Sequence, residues 1–123
     1  MKVKLGSVAH FSLAVRDPIA SAAWWLAHFD LVEVRRTDDR VLLRNDAFLL
    51  ALFRGEPRRD AGEHMAFSLP DLGALTEAAT VLMAQGVKLE DGENAIGPVA
   101  PGSSSLGVWF RDPDGYRWEL FVR

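Results

Sequence analysis

A chain of 123 residues, 49% apolar and 25% charged with a net charge of −3, can bury a real core and has the composition of an ordinary globular protein. It has no Cys, which excludes disulfides, a thiolate metal site and a thiol nucleophile. It has no apolar run of the roughly 18 residues that a membrane helix needs. Neither half carries a basic field suited to nucleic acid, and the short apolar run after Met1-Lys2-Val3-Lys4 contains His10, which argues against a signal peptide and for a cytoplasmic protein.

The first element is a strand over Val8 to Val15. By period-2 alternation Val8, His10, Ser12 and Ala14 share one face, and Ala9, Phe11, Leu13 and Val15 the other. Asp17-Pro18 starts a helix, with Asp as N-cap and Pro at the first helical position. Ile19, Ala22, Ala23, Leu26 and Phe29 recur at helical spacing, and Asp30 ends the run. Strands follow over residues 31–37, 40–45 and 47–53, with turns at Asp38-Asp39 and Asn45-Asp46.

A polar linker, Gly55 to Gly62, separates this half from a restart of the same pattern. His64 to Leu69 reads as a strand with His64, Ala66 and Ser68 on one face. Asp71 caps a helix that carries Leu72, Leu75, Ala79, Leu82 and Met83, and Gly86 ends it. Val87 to Glu90 is a candidate short strand. Asp91 to Gly107 shows no strand pattern, and its length, glycines and serines predict a lid over a bound ligand. Two last strands flank Asp112-Pro113-Asp114-Gly115, where Pro presets φ, Asp bonds its own backbone and Gly accepts positive φ. Glu119 stands among Trp118, Leu120, Phe121 and Val122, and a carboxylate inside such a strand calls for a cation.

The repetition can be measured. His10 precedes the capping Asp17 by seven residues, as His64 precedes Asp71. Two copies of one supersecondary unit are expected, about 1–54 and about 63–123, within a single domain 1–123. With His10 in Val-Ala-His-Phe-Ser-Leu-Ala-Val-Arg-Asp, His64 in Glu-His-Met-Ala-Phe-Ser-Leu and Glu119 in Asp-Pro-Asp-Gly-Tyr-Arg-Trp-Glu-Leu, the whole chain resembles the vicinal oxygen chelate superfamily. That group comprises glyoxalase I, extradiol dioxygenases, fosfomycin-resistance enzymes, methylmalonyl-CoA epimerase and bleomycin-resistance proteins. The resemblance implies an α+β fold in which two βαβββ modules form a curved mixed sheet around a metal-binding cavity. It implies His10, His64 and Glu119 as metal ligands, Glu119 also as the catalytic residue, and one divalent ion (Fe, Mn, Zn, Ni or Mg). A small-molecule substrate with vicinal oxygens and a homodimer are expected, with no nucleic acid and no membrane. Two imidazoles and a carboxylate form a facial triad that leaves coordination positions open.

Each residue has an ordinary reading beside this one. His10 and His64 taken singly are strand histidines, and Glu119 is a carboxylate on a solvated face that it shares with Arg117 and Phe121. Arg35-Arg36-Thr37-Asp38-Asp39-Arg40 reads as a charged hairpin tip. Departures from the family patterns narrow the activity. Leu50 is matched to the fourth-ligand glutamate of glyoxalase I. The region just before Val108-Trp109, Ala100-Pro101-Gly102, has no His, and Trp109 stands in place of Tyr, whereas the extradiol enzymes have an acid-base His and a Tyr there. The chain also stops four residues past Glu119, without the tail of the fosfomycin enzymes. Phe48, Leu50, Ser103, Ser104 and Trp109 are the expected substrate contacts. The alternatives are an enzyme, a non-catalytic drug- or metabolite-binding protein of the bleomycin-resistance kind, and a scaffold that only dimerises.

Overall fold

The computed structural model describes residues 1–59, 64–90 and 96–123. The expected linker thus lies partly outside the described residues, as does 91–95 of the expected lid. The chain divides into two compact units, Met1–Arg58 and Arg59–Arg123. In the first, β1 (His10–Val15) leads into α1 (Pro18–His28), followed by β2 (Val32–Arg36), β3 (Arg40–Arg44) and β4 (Leu49–Arg54). The sheet order is β1-β4-β3-β2. β1 runs parallel to β4, and the other pairs are antiparallel.

Local chemistry accounts for the start of α1. The Asp17 carboxylate accepts from the backbone N–H groups of Ile19 and Ala20, both at 3.1 Å, and Pro18, the first helical residue, has no N–H to satisfy, so the donors of the first turn are met. The helix then buries Pro18, Ser21, Ala22 and Trp25 and packs on β3 and β4. Beneath it lie Leu13, Val15, Val41, Leu43, Leu50 and Leu52, each at most 8% exposed.

The second unit repeats the plan. β5 (Met65–Ser68) leads to α2 (Leu72–Ala84), then β6 (Gly97–Pro98), β7 (Leu106–Arg111) and β8 (Arg117–Val122), in sheet order β5-β8-β7-β6. β5 is parallel to β8. Asp71 accepts from the Ala74 N–H at 2.8 Å, and the chain leaves the helix through Gly86 at φ +85°. α2 packs on β7 and β8 and buries Leu75, Ala79 and Leu82. Both sheets are mixed and neither closes into a barrel, which makes this an α+β fold of two βαβββ modules. Among the described residues no helix is long and apolar enough to cross a membrane.

Two expectations change here. The stretch before β7 is no free lid where it is described. Gly97 pairs with Gly107 and Pro98 with Leu106, and the connecting turn is closed by Val99 N–H donating to Ser105 O and Ser103 N–H to Ala100 O, both at 3.0 Å. The backbone gains ladder bonds that no side-chain pattern announces. Val87 to Glu90 contributes only one bridge, Leu89 with Phe110, and the Glu90 N–H bonds Trp109 O at 2.8 Å.

The turn between β7 and β8 is held from inside. Asp112 Oδ1 accepts from the N–H groups of Asp114 at 2.9 Å and Tyr116 at 3.0 Å, while Oδ2 accepts from the Trp118 indole at 3.1 Å. Gly115 sits at φ +87°, a conformation that side chains resist. These bonds fix where β8 begins and so which residues face each way along it.

Candidate functional site

Alternation along β8 sends Trp118, Leu120 and Val122 to the face that α2 covers. Arg117, Glu119 and Phe121 take the other. In register, Glu119 lies between Ala66 of β5 and Trp109 of β7. It is 5% exposed, and its Oε2 has no hydrogen-bond partner among the described residues. Burial pushes its carboxyl above the ordinary value, and the charges of His64 and then Arg117 pull the other way. His64, immediately before β5, sets its imidazole edge-on to the Trp109 ring at 4.6 Å between centroids.

Trp109 is clamped from its other neighbour as well. The Arg117 guanidinium lies over the indole, 3.8 Å from its centroid, and Arg117 Nε donates to Glu90 Oε2 at 2.9 Å. The second oxygen of Glu90 pairs with Arg111 Nε at 3.1 Å. One carboxylate thus ties two arginines of adjacent strands, and one of them fixes the ring against which His64 rests. Sequence reasoning missed Glu90, Arg111 and Arg117 as parts of this arrangement. Alternation placed Arg117 beside Glu119, but nothing local joins Glu90 to a residue 27 positions away.

Chemically, a buried carboxylate oxygen without a donor, beside an imidazole, suits a cation or a transferable proton. Left bare, such an oxygen carries the full cost of its lost hydration.

His10 belongs to the first unit. It shares a helix-free sheet face with Ser12, Ala14, Leu49, Ala51, Phe53 and Leu42. The strand register corrects the matching of the two modules. With His10 set against His64, Ser12 matches Ala66; Ser12 pairs with Ala51, and Ala66 pairs with Glu119. Ala51, not Leu50, is therefore the counterpart of Glu119. Leu50 pairs with Phe11, is fully buried and lies on the face that α1 covers. Phe48 precedes β4 with its ring 5.3 Å from Phe11. Either way the position carries no carboxylate. Ser103 and Ser104 lie in the turn between β6 and β7, where the Ser103 hydroxyl oxygen accepts from the Ser105 N–H at 3.0 Å. Among the described residues no group of three or more His, Cys, Asp or Glu is gathered closely enough to hold a metal ion.

The comparisons with known proteins fit this architecture. The model of the Glyoxalase/Bleomycin resistance protein/Dioxygenase superfamily matches residues 7–120. Among solved structures, a lactoylglutathione lyase from Agrobacterium tumefaciens superposes with a TM-score of 0.77 at 22% identity, over 96% of this chain and 94% of that one. A genomically encoded fosfomycin resistance protein from Listeria monocytogenes gives 0.75 at 18% identity, over 100% and 95%. A glyoxalase/bleomycin resistance protein/dioxygenase from Alicyclobacillus acidocaldarius gives 0.78 at 15%, over 94% and 90%. At these identities the likeness is one of fold. No curated protein matches the chain in sequence.

Proposed function

The chain belongs to the Glyoxalase/Bleomycin resistance protein/Dioxygenase superfamily, and from that premise we propose that it is a metal-dependent enzyme acting on a small molecule with vicinal oxygens. His10, His64 and Glu119 would hold one divalent ion. When bound, such an ion would polarise the substrate's oxygens as a Lewis acid. The observation that carries the reading is the Glu119 carboxylate, buried beside His64 with Oε2 lacking a donor among the described residues. A cation is the partner that this oxygen lacks, and the donor types suit Fe, Mn, Zn or Ni better than an all-oxygen site would.

The remaining groups have supporting roles in this reading. Trp109 gives His64 a rigid wall, and Arg117, tethered by Glu90, holds that wall in place. Ala51 leaves the matching position of the other module small and apolar. Protomers are expected to pair as homodimers.

Elemental analysis after exhaustive dialysis tests the proposal. Wild-type protein should retain one divalent ion per chain, with His64→Ala and Glu119→Gln retaining far less. Equal retention in all three, or none in the wild type, would overturn it. The other reading, a binding protein without chemistry, draws on a cavity in the first unit floored by Leu42 and Phe53. It needs no metal, so the same measurement separates the two.

A further inference from the structure

We infer that the helix-free face of the first sheet carries a binding site for a carboxylate on an apolar body, built from Arg35 and Arg40 over Leu42 and Phe53. These four side chains line a cavity of about 440 Å³, a size suited to a small organic ligand. The strand register puts them on one face. Arg35 is opposite Leu42 across β2 and β3, and Arg40 is opposite Phe53 across β3 and β4. Arg35 and Arg40 are thus diagonal neighbours, with backbones about 7–8 Å apart, near enough for both guanidinium groups to reach one carboxylate.

Charge decides the ligand's sign. The wall also includes Arg54 and Asp39, but these neutralise each other through Arg54 Nε and Asp39 Oδ1 at 3.2 Å. The other two nitrogens of Arg54 are bound to backbone oxygens, of Arg16 at 3.0 Å and Asp38 at 2.8 Å. Arg54 is therefore a brace. Arg36 is paired with Glu33 and does not line the cavity. Arg35 and Arg40 have no ion pair or side-chain hydrogen bond among the described residues, so two positive charges remain uncompensated on an otherwise acidic chain. Guanidinium groups match a carboxylate's two oxygens in a plane. Leu42 and the half-buried Phe53 supply the apolar floor.

The face is the one that bears His10. From the Phe53 row, two further cross-strand rows lead through Ala51 and Ser12 to Leu49 and His10. Four strand residues cover about 13 Å. The substrate class follows, and this last step rests on the metal-site reading above: an anionic group at the arginines, an apolar middle, and vicinal oxygens toward His10.

Calorimetric titration with 4-phenylbutyrate, its uncharged amide and inorganic phosphate tests the site. The acid should bind, the amide should bind at least about tenfold more weakly, and affinity should fall with salt. Arg35→Gln/Arg40→Gln should weaken the acid about tenfold or more while leaving the melting temperature close to wild type, since both residues are exposed. His64→Ala should bind the acid as wild type does, which separates this site from the metal. No binding by the wild type, equal binding of acid and amide, or full affinity in the double variant would overturn the inference. Phosphate binding tighter than the acid's would overturn the carboxylate assignment. Acid binding by a protein that retains no metal would remove the metal reading and leave this one standing.

Discussion

Asp112→Ala should be among the most damaging single changes outside the apolar core. The side chain accepts three hydrogen bonds, two from backbone N–H groups and one from the Trp118 indole, and Trp118 is fully buried. Truncation leaves three donors without an acceptor. Each buried donor so stranded costs about 1–3 kcal/mol, and water can rescue part of that at a turn, so a loss of about 3–6 kcal/mol is expected. Total stabilities run about 5–15 kcal/mol, so much of the fold's margin would go. Asp112→Asn keeps Oδ1 for the two backbone donors but turns an NH₂ toward the indole, and should cost about 1–3 kcal/mol. Urea unfolding followed by far-UV circular dichroism measures both, and the Asp112→Ala/Trp118→Phe cycle isolates the indole bond as a coupling of about 1–2 kcal/mol. Acid adds a signed check. Burial pushes the Asp112 carboxyl above its ordinary value, against the bonds from Trp118, Tyr116 and Asp114 that favour the ionised form. The folded state then holds its proton more readily than the unfolded chain. That contribution is complete below the ordinary aspartate value and is lost as pH rises through the raised one. Wild type should therefore gain stability relative to Asp112→Asn as pH falls through that window. An Asp112→Ala variant within 1 kcal/mol of wild type, or a coupling of zero, would refute the reasoning.

Two other substitutions test the register and the packing. Leu50→Glu buries an unpaired carboxylate under α1 and should cost about 3–5 kcal/mol, whereas Ala51→Glu, on the helix-free face, should cost less and tighten divalent-metal binding; equal destabilisation with unchanged metal affinity in both would contradict the module matching. Gly107→Ala would set a methyl 2.9 Å from the Leu120 carbonyl oxygen and 3.0 Å from Val99 Cγ1. Backbone must shift to admit it, at about 1–3 kcal/mol, and a thermal melt unchanged from wild type would show that β7 and β8 are looser than the ladder implies.

The features legible in the chain are those whose causes are local. Asp17 and Asp71 announce helix starts because a cap bonds donors two or three residues away. Asp112-Pro113-Asp114-Gly115 announces a turn because its bonds span at most four residues. Alternation placed Arg117 and Glu119 on one face, since period 2 belongs to any strand. The duplicated His-to-Asp spacing is enough to expect two copies of one supersecondary unit, and the family resemblance implies that each is a βαβββ module. Tertiary structure alone decided what depends on pairing partners far apart. A shift of one residue in register exchanges the two faces of a strand, so only the β1–β4 ladder could put Ala51 where Leu50 had been set. The short β6 forms because Gly97 and Pro98 meet β7, not because their side chains favour a strand. Glu90 joins Arg111 and Arg117 across the second sheet, and Arg35, Arg40 and Phe53 line one cavity on the first. Such contacts are fixed by which strands lie side by side. That order comes from burying the apolar faces of whole strands and helices together, a requirement no short stretch of sequence contains.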